Sequence, residues 1–166
     1  MADPQQIVVS TADIPLNDFS GGGDFAAHYG RVGPLLGLTD LGCALQVVPP
    51  GKKAFPHHVH HCADELMLIL EGTGDYRWGE ERVAVKAGDL VGAPKAGRAH
   101  QLINTGATDL KYLAFSSNPS ADVVEYPDSG KVAYRAGVVG GDRATGTTRA
   151  IGRMAVTDYW DGEVER

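Results

Sequence analysis

Residues 51–72 read GKKAFPHHVHHCADELMLILEG, and four of the chain's six histidines fall inside them: His57, His58, His60 and His61. Asp64 and Glu65 follow. An apolar run from Leu66 to Leu70 then ends at Glu71 and Gly72. In an extended strand alternate side chains share a face. His58 and His60 therefore present both imidazoles to the same side. Glu65 opens the next strand after a short turn and can reach back onto that side. A further histidine, His100, stands in a second stretch, GDLVGAPKAGRAHQLIN, residues 88–104. In a rolled barrel a strand so distant in sequence lies beside the first.

Two imidazoles and a carboxylate on one face, with a third imidazole at another corner, hold a transition metal and leave positions open. The expected ligands are His58, His60, Glu65 and His100. The expected cofactor is one divalent transition metal: Zn, Fe, Mn or Ni. His57 and His61 have the opposite parity and are expected behind the site or in solvent. Asp64 reads as a turn residue and Cys62 as a small, buried or half-buried one.

Outward from this stretch the texture is all-β. The chain has 22 Gly and 9 Pro, which punctuate short runs of Val, Leu, Ile and Tyr. Strands are expected at 43–48, 56–61, 65–71, 74–78, 82–85, 89–93, 99–104 and 109–116, a spacing that suits a jelly-roll barrel. Residues 1–42 are expected to form a mixed N-terminal segment, with a short strand at Ile7–Ser10, a flexible turn at Ser20–Gly23 and a loop from Gly30 to Gly37. In a C-terminal extension, 117–166, residues 122–135 read as one or two strands and Gly137–Gly146 as a loop. The last stretch is expected to fold over the barrel or pack on a partner. The length of 166 residues fits one domain, 1–166.

The net charge of −6 comes without a basic block, so nucleic acid and anionic membrane are not expected partners. The opening MADPQQIVVS has no basic and apolar leader pattern, and no apolar run approaches a membrane span. Cys43 and Cys62 read as reduced thiols of a cytoplasmic protein.

The two stretches resemble the two sequence motifs of the cupin superfamily. Gly51, His58, His60, Glu65 and Gly72 follow the first, and Gly88, Pro94, Gly97, His100 and Asn104 follow the second. Each motif carries one additional residue, before His58 and between Pro94 and Gly97, where turns tolerate insertion. The resemblance covers about 43–116. It implies a double-stranded β-helix with His58, His60, Glu65 and His100 on one metal. The whole chain is similar to small single-domain bacterial cupins, some of which are assigned as sugar-phosphate isomerases.

Strand 65–71 is apolar on both faces, so its outer face requires a cover: the N-terminal segment, a second layer, or the partner of a homodimer. Tyr76, Trp78 and Tyr112 are candidate substrate contacts. Arg31, Lys95 and Arg98 lie in or beside turns that could border a barrel mouth, and read as solvated charges. If one of them faces the metal, a carboxylate or phosphate substrate follows. The expected function is a metal-dependent enzyme on a small molecule, with sugar or sugar-phosphate isomerase chemistry first. Alternatives are an iron dioxygenase and a non-catalytic binder of small carboxylates or similar ligands.

Overall fold

The computed structural model describes residues 7–163. The first six residues, part of the stretch read as lacking a leader, lie outside that range. Thirteen strands run β1 (Asn17–Gly22), β2 (Phe25–Arg31), β3 (Leu41–Val48), β4 (Val59–His60), β5 (Glu65–Glu71), β6 (Thr73–Trp78), β7 (Glu81–Lys86), β8 (Leu90–Ala93), β9 (His100–Ile103), β10 (Leu110–Ser117), β11 (Asp122–Tyr126), β12 (Lys131–Ala136) and β13 (Thr148–Gly152). Among the described residues helical structure is limited to three short 3-10 turns. The jelly-roll fold expected from strand spacing is the fold observed.

One layer is a six-stranded sheet in the order β1-β2-β3-β10-β5-β8. The facing layer comprises β7-β6-β9 and β4-β11-β12-β13. An antiparallel bridge between His58 and His100 joins these two pieces. His58 N–H donates to the His100 carbonyl at 3.1 Å, and His100 N–H returns the bond at 2.7 Å.

Side-chain size along the inner face of the six-stranded sheet divides the barrel into a filled half and a hollow half. Towards one end, Val48, Ile69 and Leu110 are almost completely buried and pack with Tyr76, Val85 and Leu102 from the facing layer. Each fully buried side chain of this kind contributes about 1.5–3 kcal/mol. Towards the other end the inward positions are Ala44 and Ala114, which are cross-strand partners. Glu65, two positions from Met67 on the same face of β5, completes that end. Methyl groups cannot fill the space that leucines fill below, and a cavity of about 390 Å³ remains.

Turn chemistry sets the strand ends. Gly72 takes φ +81° between β5 and β6, and a Cβ there would run into the Asp109 carbonyl. Asn104 closes β9 with a fully buried amide. Its Nδ2 donates to the carbonyls of Val48 (2.7 Å) and Thr108 (2.8 Å), and its Oδ1 accepts from Gly106 N–H (2.9 Å).

Several local expectations are corrected. Residues 7–10 form no strand. Ser20–Gly22 belong to β1 rather than to a flexible turn, and Gly30 and Arg31 end β2 rather than begin a loop. The alanines and glycines of these strands hide their alternation. The expected strand 56–61 shrinks to Val59–His60, because Pro56 cannot donate to a ladder and His58 pairs through the isolated bridge to β9. Beyond β13 the described tail is exposed, including Met154, Tyr159 and Trp160, and does not fold over the barrel. No helix among the described residues is long and apolar enough to cross a membrane.

Candidate metal centre

The cluster at the base of the cavity is assembled from three separate places in the chain, with His58, His60 and Glu65 lining the cavity and His100 behind them. His58 and His60 come from the segment leading through β4, Glu65 from the start of β5, and His100 from the start of β9. The bridge between His58 and His100 sets those two rings 4.5 Å apart, and His58 and His60 are 5.0 Å apart. All three histidines direct Nε2 at the same atom, Glu65 Oε2. The distances are 3.0 Å from His100, 3.6 Å from His60 and 3.8 Å from His58. The ligand atoms of His58, Glu65 and His100 lie within 4.8 Å of one another, a group that could hold a metal ion. His60 stands outside that tighter group, although its Nε2 faces the same carboxylate oxygen.

The hydrogen bonds behind the rings fix which nitrogen is available. His58 Nδ1 donates to the Pro56 carbonyl at 2.7 Å. His60 Nδ1 donates to Asp122 Oδ2 at 2.5 Å. Neither acceptor can supply a proton, so in both rings the Nδ1 position carries the hydrogen and Nε2 offers its lone pair. Two lone pairs and a carboxylate oxygen thus converge. Electron-rich atoms facing each other inside a protein are matched by a cation between them. The donor set of imidazole nitrogens and one carboxylate fits a divalent transition metal.

Electrostatics agree with that use. Burial, followed by the neighbouring His100, pushes His58 down to about 4, which keeps the ring neutral and ready to ligate. Burial alone would raise Glu65, but the bond from His100 and the surrounding imidazoles outweigh it and hold the carboxyl at about 2. Asp122 is completely buried. It accepts from His60, from Cys62 N–H at 3.1 Å and from Arg135 at 2.9 Å. Burial would raise its pKa, yet these bonds keep it below the usual carboxylate range.

The remaining candidates are placed as follows. His57 is buried, its Nδ1 3.4 Å from Asp128 Oδ1, and His61 bonds Glu125 at 2.9 Å. Asp64 sits in the turn before β5 and accepts from Lys95 N–H. Cys62 is exposed in the turn before β5 rather than buried or half-buried as expected, Cys43 is half-buried, and both are free thiols. Tyr76, Trp78 and Tyr112 pack in or against the apolar core and do not line the cavity. The Tyr76 hydroxyl donates to the Gly92 carbonyl, and that of Tyr112 to Gln46 Oε1. Aromatic lining comes instead from Phe19, Tyr29, Phe55, Phe115 and Tyr126. Lys95 and Arg98 lie on the surface, Arg98 paired with Glu81 at 2.7 Å. Arg31, also read as a solvated charge, lines the cavity, together with Arg135 and Arg143.

Asp122, Tyr126 and Arg135 are site residues that the sequence reading missed. A signal existed: Asp122, Val124 and Tyr126 share one strand face, and Asp122 is a charge on its buried side. Register then places Arg135 directly opposite Asp122.

Comparison with known proteins agrees with this architecture. Residues 44–116 match the family model for the cupin domain. A solved structure from Acidithiobacillus ferrooxidans, provisionally assigned as a sugar phosphate isomerase, superposes with a TM-score of 0.80 over 94% of this chain and 99% of that one. At 22% identity this is a likeness of fold. Auxin-binding protein 1 of Arabidopsis thaliana is 28% identical over 132 residues, 74% of this chain and 64% of that protein. The oxalate-binding protein of Thermotoga maritima is 39% identical over 67 residues, 40% of this chain and 54% of that protein. The chain thus spans less than two thirds of the length of these curated relatives.

Proposed function

With residues 44–116 forming a cupin domain, the chain is a member of the cupin superfamily, and on that premise we propose that it is a metal-dependent enzyme acting on a small oxygen-rich molecule, with aldose–ketose isomerase chemistry as its reaction. The observation that carries this reading is the convergence of three imidazole Nε2 atoms on Glu65 Oε2, at 3.0–3.8 Å, with His58, His60 and Glu65 lining a cavity of substrate size. In this reading His58, His60, Glu65 and His100 hold one divalent ion. The bound ion supplies a Lewis acid that polarises a substrate carbonyl or hydroxyl oxygen.

The chain's own residues supply the rest. Asp122 holds the His60 ring with its Nε2 inward. Tyr126 lines the cavity alongside His58, with ring centroids 6.1 Å apart. Burial raises its pKa, so the phenol keeps its proton at neutral pH and can donate it to a substrate oxygen. Phe55 and Ala114 close the apolar part of the wall and limit water.

One observation favours a second reading, a non-catalytic binder of small acids. Outside the metal cluster the cavity lining has no imidazole and no carboxylate to act as a base; its proton carriers there are Tyr29, Tyr126, Cys43 and the arginines. The name of the Thermotoga maritima relative points the same way.

The test is metal analysis of protein purified without added metal, followed by incubation of the metal-loaded protein with aldoses and their phosphates in deuterated water. Deuterium appearing at the carbon beside the carbonyl supports isomerisation. Iron content with substrate-dependent oxygen consumption assigns a dioxygenase instead. Tight ligand binding with neither reaction assigns the binder. We also place a second copy of the chain on the outer leucines of the six-stranded sheet, and a cytoplasmic location fits the two free thiols.

A further inference from the structure

The wall of the cavity above the metal cluster has its own electrostatic character. The chain has 21 acidic residues against 15 basic ones. Yet the cavity lining contains three arginines, Arg31, Arg135 and Arg143, and a single carboxylate, Glu65. Glu65 is engaged at the floor by the imidazoles. Arg135 is held from behind by Asp122 at 2.9 Å. Arg31 and Arg143 form no ion pair among the described residues. The guanidinium of Arg31 donates to the Gly141 carbonyl, at 3.4 Å.

Three guanidinium groups come together here from unrelated parts of the chain: the end of β2, β12 and the turn at 143–145. Register adds Arg149 beside Arg135 on β13. Like charges gathered around one hollow repel one another, and the repulsion is relieved when an anion occupies the hollow. The Arg135 guanidinium feels this already: burial, then Arg143 beside it, lower its pKa. The two unpaired guanidinium forks match a doubly charged group with several acceptor oxygens better than a single carboxylate, which one fork can satisfy.

We propose that Arg31, Arg135 and Arg143 form an oxyanion subsite for a phosphate monoester, so that the ligand is a small phosphorylated polyol with its phosphate on the arginine wall and its oxygens at the metal floor. This deepens the isomerase reading and rests on it for the floor end of the ligand, while the phosphate end stands on the arginine wall alone. Arg135 links the two ends, since its partner Asp122 also bonds the His60 ring.

The test is calorimetric titration of the full chain, metal-free and zinc-loaded, with inorganic phosphate, a hexose 6-phosphate, the unphosphorylated hexose and the matching uronic acid. The hexose phosphate is expected to bind at least about tenfold more tightly than the hexose. Arg31→Gln with Arg143→Gln should weaken it by about tenfold or more, and the salt dependence should flatten. Both arginines are exposed, so the variant's thermal midpoint should match that of the parent, and Arg143→Lys should retain part of the affinity. Unchanged phosphate affinity in the double variant would overturn the subsite. So would equal binding of hexose and hexose phosphate, or tighter binding of the uronic acid.

The two readings fail separately. Arginine-dependent phosphate binding in a protein that takes up no zinc keeps the subsite and removes the metal centre. Stoichiometric zinc with arginine-independent phosphate binding does the reverse.

Discussion

His60 and Asp122, 62 positions apart in the chain, meet at 2.5 Å, with His60 Nδ1 donating to a carboxylate that has no exposed surface. That contact fixes the ring so that Nε2 points at Glu65. Substituting Asp122→Asn keeps the volume but replaces an ionic acceptor with an amide, which also weakens the hold on Arg135. Partners behind metal-binding histidines are typically worth 10- to 100-fold in metal affinity. Asp122→Asn should therefore weaken zinc binding by about that factor, read by competition with a chromogenic chelator. Unchanged affinity would show that His60 needs no orientation.

The four clustered histidines divide by position, and substitution should divide them the same way. His60→Ala removes a nitrogen that faces Glu65 Oε2 at 3.6 Å and should cost most of the bound metal. His57→Ala removes a ring that is 2% exposed and touches none of those ligand atoms. It should leave metal content intact and lower stability by about 2 kcal/mol through the void it creates. Metal content by mass spectrometry and unfolding in urea read the two effects separately. Equal metal loss in both variants would contradict the assignment.

The contrast between these histidines also shows what the sequence could and could not reveal. Alternation placed His58 and His60 on one face from local spacing alone. The approach of His100 was legible only through its motif, because the bridge that sets it beside His58 is a property of how the barrel closes. The tyrosines went the other way. Parity correctly paired Tyr76 with Trp78 on one face, but cannot say whether that face meets the filled half or the hollow half of the barrel. Which half is hollow depends on Ala44 and Ala114 lying opposite each other, a relation between strands 70 residues apart. Arg135 and Asp122 remained hidden for the same reason.

Ala114 offers a way to close the cavity without touching the floor. It lines the hollow and is half-buried. Ala114→Leu adds three carbons to a space that the native methyl leaves open, so overpacking should cost no more than about 1–3 kcal/mol. Zinc affinity should be unchanged, while affinity for a hexose phosphate should fall at least about tenfold. Retention of that ligand by a folded Ala114→Leu protein would place its binding elsewhere.

Asp128 supplies a pH dependence through Arg77, with His57 Nδ1 also 3.4 Å from its carboxylate. Its carboxylate accepts two bonds from Arg77, at 2.7 and 3.0 Å, and the Arg77 bond holds its pKa below the ordinary value of 3.8. A carboxyl depressed in the folded state stabilises the fold above its unfolded pKa. That contribution disappears as pH falls through the folded value. Asp128 is half-exposed, so the pair is worth under about 1 kcal/mol. The difference in thermal midpoint between parent and Asp128→Asn should be present at neutral pH and should close as pH falls below the ordinary value of 3.8 through the depressed folded value. A difference that grows on acidification would have the wrong sign.

Across the outer face of the six-stranded sheet, Leu45, Leu113, Leu68 and Leu90 stand in one row, each paired in register with the next. The row is covered unevenly. Ile14 and Val32 of the N-terminal segment bury Leu45, which is 1% exposed, with Leu35 and Leu36 packed beside them. At the other end Leu90 is 63% exposed, and Leu66 nearby on β5 is 43% exposed. β8 is also the edge of its sheet, where apolar side chains and unpaired backbone groups together invite a partner. A homodimer built on this face should run at twice the chain mass in light scattering at about micromolar concentration. Leu66→Glu with Leu90→Glu should yield a folded monomer, because a carboxylate buried in an apolar interface costs several kcal/mol. A parent protein that is already monomeric, or a double variant that remains dimeric, would move the interface off the β5–β8 edge.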